Sequence, residues 1–257
     1  MSAPGAWPPR PEERVEQRIL IERDGTVVAR SGKVEYGQGI RTGFALIVAE
    51  ELGVGLERVR VELGETDRVP WDMGTFGSLS TATDGKSLRA AAAQARWILL
   101  DRAAVRLGVP SSTLITRDGA VVSTDGRSIA YQALVAGDPL SGPVPAGIAV
   151  GPALDPPKDL PFRLEGRDIV TGRARYPADV RLPGLLRGCL LHPPVHGARL
   201  LSLDDSSARS LPGVVAIVRD GDTVAWLPDV TSRRGTPSRR SHPPGARSLP
   251  HPPRPSN

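Results

Sequence analysis

Polarity along this chain changes period several times, and each change marks an element. "ILIERDGTVVARSGKV" alternates apolar and polar positions around Asp24-Gly25, the period of half-buried strands joined by a tight turn. The Asp-Gly pair predicts a type I′ hairpin with strands near 18–23 and 26–34. Phe44, Ile47, Val48 and Leu52 then fall at helical spacing, so a helix of about three turns is expected, stopped by Gly53. "ERVRVELG" returns to alternation and reads as a half-buried strand. Residues 64–83 follow neither period and read as loop. "DGKSLRAAAAQARWILLDRAAVRLGV" is the clearest helix: alanine-rich, with Leu88, Ala92, Ala95, Leu99 and Leu107 near one face and Gly108 as its stop. Short strands around "RDGA" and "TDGR" turns follow, then a short helix from Tyr131.

The pattern then breaks. Residues 137–162 carry seven prolines and read as a linker between a larger domain over 17–136 and a smaller unit over 163–224. In that unit "LLRGCLLHPP", "GARLLSL" and "GVVAIVRDGD" are strand candidates and "DSSARSL" is a short helix. The fold class predicted is α+β. The last strand stops near Val224 with nothing to close the small unit. Residues 1–16 and 225–257 show no apolar period and are expected to be disordered. The Arg/Pro/Ser composition of the latter suits a natural tail or GC-rich DNA read out of frame, and a frameshift is the favoured reading.

Composition narrows the function classes. A 39% hydrophobic content fits a soluble globular protein, and without a long apolar run no membrane span is predicted. The opening "MSAPGAWPPRPEERVEQ" has no basic-then-apolar signal pattern, so a cytoplasmic location is expected. A single cysteine, Cys189, excludes an internal disulfide and an iron–sulfur cluster held by this chain alone. The net charge of +5 invites a nucleic-acid reading, but the stretch from Leu227 onward holds six arginines and one acid, Asp229. Without it, 27 basic and 27 acidic residues remain. The tail lacks aromatic interleaving, so no nucleic-acid partner is expected.

Two stretches could carry chemistry. "GKVEYGQGIRTG" places Gly37 and Gly39 around Gln38 just before a helix. A dinucleotide fingerprint would need a third glycine where Thr42 stands, so Glu62 at the end of the next strand is a poor ribose ligand. Glycines serving a tight turn remain the alternative. "MGTFGSLSTATDGKS" packs Thr75, Ser78, Ser80, Thr81 and Thr83 among glycines at the start of the long helix. Hydroxyls and free N–H groups there suit phosphate or other polar oxygens, unless this is an ordinary capped loop. With Gln38, whose amide both donates and accepts, the pair points to a pterin or nucleotide site.

"SGKVEYGQGIRTGFALIVAEELGVGLERVRVELGETD" and "GTFGSLSTATDGKSLRAAAAQA" together resemble the molybdenum-cofactor-binding region of the xanthine dehydrogenase/aldehyde oxidase family's large subunit. The closer likeness is to the branch of isoquinoline 1-oxidoreductase beta subunits and nicotinate dehydrogenases. "VTGRARYPADVRLPGLLRGCLLHPPVHGARLLSLDDSSARSLPGVVAIVRDGD" resembles that family's a/b hammerhead domain, here following the cofactor region as in that branch. The resemblance implies a partial molybdopterin-binding domain, with Gly37, Gln38 and Gly39 forming the glutamine turn at the molybdenum-dithiolene end of the cofactor. It implies that Ser78, Ser80 and Thr81 hold the pterin and its phosphate, and that Phe76 and Gly77 lie near metal and substrate. The cofactor implied is molybdenum-molybdopterin in its cytosine dinucleotide form, its metal held by pterin sulfurs rather than protein ligands. A small subunit with [2Fe–2S] clusters and an aldehyde or N-heterocycle substrate are the implied partners.

Family members act through a glutamate in a Gly-x-Gly-Glu context, which does not occur here. No catalytic residue is therefore assigned: Glu50 and Glu51 read as a solvated helix face, and Glu35 as structural, on a strand before Gln38. His192 and His196 have the spacing of a helical metal pair, but Pro193 and Pro194 forbid the helix. Cys189 reads as a buried, inert thiol. The leading expectation is an N-terminal piece of a molybdenum hydroxylase large subunit, inactive alone. The alternative is a non-catalytic module that binds molybdopterin or the small subunit.

Overall fold

A computed structural model describes residues 12–151, 163–186 and 188–228 in full, and 246–248 at the level of the backbone. The chain forms two compact units that divide after Asp179.

The first unit opens with α1 (Val15–Arg18) running into β1 (Ile19–Ile21), which pairs antiparallel with β2 (Val27–Ser31). The turn between them is not the expected type I′. The Gly25 N–H donates to Glu22 O, the Glu22 N–H to Thr26 O, and only Gly25 takes a positive φ, +87°. That is a type I turn ending in a glycine bulge, the usual three-residue solution. From β2 the chain passes through α2 (Ile40–Leu52) to β3 (Val59–Leu63), which lies parallel to β2 with Val27 opposite Val59. Parallel pairing requires such a crossover, and the helix covers the sheet it spans.

α3 (Lys86–Leu107) packs against α2. Phe44, Val48 and Leu52 of α2 and Leu88, Ala92, Ala95 and Leu99 of α3 are all fully buried, and the alanines allow close approach. Each buried leucine or phenylalanine contributes about 1.5–3 kcal/mol. α2 ends at Gly53, in the left-handed region at φ +61°, where a Cβ would stand 2.7 Å from Thr116 O. β4 (Leu114–Arg117), β5 (Ala120–Ser123) and β6 (Ser128–Ala130) form an antiparallel meander leading to α4 (Tyr131–Val135). The buried Tyr131 hydroxyl donates to Leu52 O, tying α4 to the end of α2.

Three expectations meet different facts here. The ordered unit starts before residue 17, since Val15 is fully buried and donates its N–H to Gly142 O. The front of the proline-rich stretch belongs to the same unit: Leu140 is buried and the Val144 N–H donates to Glu13 O. The rest of it, 152–162, lies outside the described residues. Glu51 is not on a solvated face. Its side chain is fully buried, paired with Arg89 and Arg96, and accepts the Gly151 N–H. α5 (Gly166–Val170) completes the first unit.

In the second unit β7 (Cys189–Leu191), β8 (Leu200–Leu203), α6 (Ser206–Arg209) and β9 (Val214–Asp220) fall where the periodicity placed them. The expected end of the last strand, however, falls too early. β10 (Thr223–Pro228) lies between β7 and β9 as the central strand of its sheet. Within the tail, β11 (Ala246–Ser248) pairs with β8, and the remaining tail residues lie outside the described ones. Cys189 is half-buried, opposite Trp226, rather than fully buried. Among the described residues no helix is long and apolar enough to cross a membrane.

Candidate cofactor site

Beyond β2 the chain enters a loop held against a second loop. At Gly32 a Cβ would meet the Asp72 side chain at 2.5 Å and Pro70 O at 2.6 Å, so only glycine permits that approach. The next residue, Lys33, is buried and donates from Nζ to Asp72 Oδ1 (2.9 Å) and Gly74 O (2.7 Å). The Val34 N–H donates to Thr75 Oγ1 at 2.8 Å. Two segments about 40 residues apart in sequence are thereby fixed side by side, through ion pair and hydrogen bonds rather than apolar packing.

The first segment is a turn that satisfies itself. Gln38 Oε1 accepts the Tyr36 N–H and Nε2 donates to Val34 O, each at 2.8 Å. Gln38 and Thr75 therefore engage the same residue, Val34, one at its carbonyl and the other at its N–H. Glu35 lies beyond the end of β2, not on a strand. Its Oε1 accepts the N–H groups of Gly37 (2.8 Å) and Gly39 (2.9 Å), and its Oε2 accepts that of Arg41 (3.0 Å). Burial alone would raise the Glu35 pKa, but the bonds from Arg41, Gly39 and Gly37 outweigh it and hold the carboxyl below its ordinary range. From outside, Arg163 donates to Gly37 O (3.0 Å) and Gln38 O (3.2 Å). A Cβ at Gly39, whose φ is +85°, would stand 2.8 Å from that guanidinium. Thr42 Oγ1 accepts the Leu164 N–H and donates to Glu165, which also pairs with Arg41.

The second segment is anchored at its ends and open in the middle. Asp72 caps its own loop by accepting the Gly74 N–H. Gly77 and Ser78 are consecutive left-handed residues, at φ +64° and +56°, and Phe76, Gly77, Ser78, Leu79 and Thr81 are exposed. Residues Ser80–Gly85 form a π-helical turn leading into α3, a rare geometry frequent at functional sites. Its last acid, Asp84, is buried in a bidentate pair with Arg18 (2.9 and 3.0 Å) and accepts the Ser31 hydroxyl. Burial works against the Arg18 charge, yet Asp84 and Glu13 together raise its pKa. No hydrogen bond within the described residues occupies the Ser78, Ser80 or Thr81 hydroxyl.

The Gly37–Gly39 turn is thus joined through Val34 to Thr75, which directly precedes Phe76-Gly77. Ser80 and Thr81 belong to the π turn, which packs on α2 where Gly85 meets Ile47 and Phe44. After its internal bonds the Gln38 amide retains one N–H and one acceptor lone pair. With the unengaged hydroxyls, this donor set fits the polar edge and phosphate oxygens of a pterin. Among the described residues no group of three His, Cys, Asp or Glu could hold a metal ion, and His192 and His196 are exposed. Glu62 is no ribose ligand, because Arg30, Arg60 and Arg68 all pair with it. Sequence reasoning missed Lys33, Asp84 and Arg163. For Glu35 a signal was present: a carboxylate two and four residues ahead of glycine N–H groups at a helix start.

The fold thus places a glutamine turn beside a hydroxyl-rich helix entry within one mixed helix-and-strand domain. A family model described as the molybdopterin cofactor-binding domain matches residues 4–146, more than half of the chain. A nicotinate dehydrogenase subunit of Pseudomonas putida is 38% identical over 232 residues, covering 84% of this chain and 19% of the relative. The beta subunit of the isoquinoline 1-oxidoreductase of Brevundimonas diminuta is 33% identical over 238 residues, covering 76% and 30%. The carbon monoxide dehydrogenase large chain of Afipia carboxidovorans is 43% identical over 74 residues, covering 29% and 9%. The chain belongs to the molybdopterin cofactor-binding family of molybdenum hydroxylase large subunits. It spans about a fifth to a third of the length of the first two of these relatives.

Proposed function

We propose that this chain supplies one wall of the molybdopterin site in an oxidoreductase large subunit that hydroxylates an aldehyde or N-heterocycle with oxygen from water. The supporting observation is the junction at Val34, where the Gln38 turn and the Thr75 loop are bonded to one residue. When bound, the cofactor would supply the oxidation chemistry. Gln38 would present its remaining amide donor and acceptor to the metal-dithiolene end. Ser78, Ser80 and Thr81 would hold the pterin and phosphate of a cytosine dinucleotide form. Gly37 and Gly39 would bring the backbone close, and Phe76 and Gly77 would border the substrate. Electrons would leave to a separate [2Fe–2S] subunit. The setting proposed is cytoplasmic, in keeping with a lone cysteine.

The domain layout is part of the same proposal: a hammerhead-like unit follows the cofactor region, and the remaining cofactor contacts come from sequence the chain does not contain. The isolated chain would then be inactive. The test is a chimera in which residues 12–151 replace the matching part of the Pseudomonas putida nicotinate dehydrogenase relative. Retained molybdenum and pterin, lost on joint Ser78→Ala, Ser80→Ala and Thr81→Ala substitution, is the expected result. A chimera that folds but carries no molybdenum overturns the site. Turnover of an aldehyde or N-heterocycle by the 257-residue chain alone overturns the fragment reading.

One observation favours a non-catalytic binding module. The first unit has a continuous core and its own buried ion pairs, as expected of a domain that folds alone. Capture of free molybdopterin by the isolated chain, without turnover, would establish that reading.

A further inference from the structure

The start of α2 has the ingredients of an anion site: glycines at positive φ, helix N–H groups and a helix dipole. In the structure those donors are already used. The Gly37, Gly39 and Arg41 N–H groups all point to one carboxylate, that of Glu35. Meanwhile the carbonyls of Gly37 and Gln38 are held by Arg163, and both ends of the Gln38 amide are bonded within the turn.

We propose that Glu35 is a positioning residue: it fills the anion nest at the head of α2, locks the Gln38 turn, and keeps any phosphate out of it. The inference deepens the cofactor reading and rests on it in one respect, that a phosphate of the ligand must then be taken by the Ser78–Thr81 segment. The internal arrangement stands without the cofactor. The carboxylate is held by the Gly37, Gly39 and Arg41 N–H groups and by the Arg41 charge, and the other charged groups around the turn are Arg163 and Glu165. Arg41 lies on α2, and Arg163 and Glu165 come from the segment before α5. Glu165 is ion-paired with Arg41 and accepts the Thr42 hydroxyl, and Arg163 is bonded to the Gly37 and Gln38 carbonyls.

The test uses the full chain, labelled with 15N, and follows the Gly37, Gly39 and Arg41 amides with inorganic phosphate and acetate as probes. In the wild type, phosphate at tens of millimolar is expected to leave all three unmoved. In Glu35→Gln the three amides should move together, and their hydrogen exchange should rise about 5–10-fold, the difference between a charged and a neutral acceptor. In Glu35→Ala the emptied nest should take acetate or phosphate, restoring the wild-type shifts in a saturable way. A merely structural glutamate would not create an anion site on removal. Phosphate-dependent shifts of these amides in the wild type overturn the proposal, as do unmoved amides in Glu35→Gln. If Glu35→Ala does not fold, the Glu35→Gln result decides. Failure of the cofactor reading shows separately, as a molybdenum-free chimera whose turn amides still behave as expected.

Discussion

The two loops of the site solve the same problem in opposite ways. The turn from Val34 to Arg41 is locked from its centre, because Glu35 and Gln38 absorb its backbone N–H groups and Arg163 covers two carbonyls. The loop from Asp72 to Asp84 is pinned toward its ends, by Lys33 and the Val34 N–H at one and by Arg18 and Ser31 at the other, and leaves Phe76 to Leu79 and Thr81 exposed while Ser80 is buried. Each strategy uses buried charge, whose partners must stay put because an unpaired charge in the interior is costly. The first makes a rigid wall with little spare hydrogen bonding. The second makes a rim on which Ser78 and Thr81 are exposed.

The comparison can be broken most strongly at Asp84. Asp84→Ala should cost about 3–5 kcal/mol in urea unfolding, since it leaves the buried Arg18 without its bidentate partner. A loss below about 1 kcal/mol would mean that the second loop is not anchored there. Lys33→Met removes the pin at the other end and leaves buried Asp72 unpaired, with an expected cost of about 3 kcal/mol in the same measurement.

Glu35→Gln should cost less, about 1–2 kcal/mol at neutral pH, because the amide oxygen can still accept. Its pH dependence supplies a sharper signature. The folded carboxyl has a lowered pKa, so its stabilisation is fully present above the ordinary glutamate value of about 4.3. It is lost as pH falls through the lower folded value. The stability gap between wild type and Glu35→Gln should therefore close toward acid in pH-resolved unfolding curves. A gap that widened would put the lock elsewhere.

Smallest of all, Ser78→Ala and Thr81→Ala should change stability by no more than about 0.5 kcal/mol, both side chains being exposed and unbonded. In the chimera the same substitutions should lower molybdenum content. Stability loss at the rim, or no effect on cofactor, would erase the distinction between wall and rim.

The two compact units differ as well. The first buries a continuous apolar cluster, whereas in the second Ala208 and Val224 are the buried hydrophobic residues among those described. Val224 is where sequence reasoning saw the last strand stop. It is instead near the start of β10, whose short TVAWLP run carries no clean alternation, so its central place follows only from pairing with β7 and β9.

Sequence alone determined the elements whose cause is local. The α3 helix follows from its alanine-rich apolar stripe, its end from Gly108, the β1–β2 hairpin from Asp24-Gly25, and the turn at Gln38 from its flanking glycines. Even the precise turn type escaped it, because an Asp-Gly pair also serves a type I turn with a bulge. What only the tertiary structure decided is where the charges go. Glu51 meets Arg89 and Arg96 from 38 and 45 residues away, and Arg163 reaches Gly37 across 126. Periodicity reports which face of an element is apolar, but a buried charge looks like a surface charge until its distant partner is in place. For that reason the glutamine turn could be found by reading, while the carboxylate that holds it could only be seen.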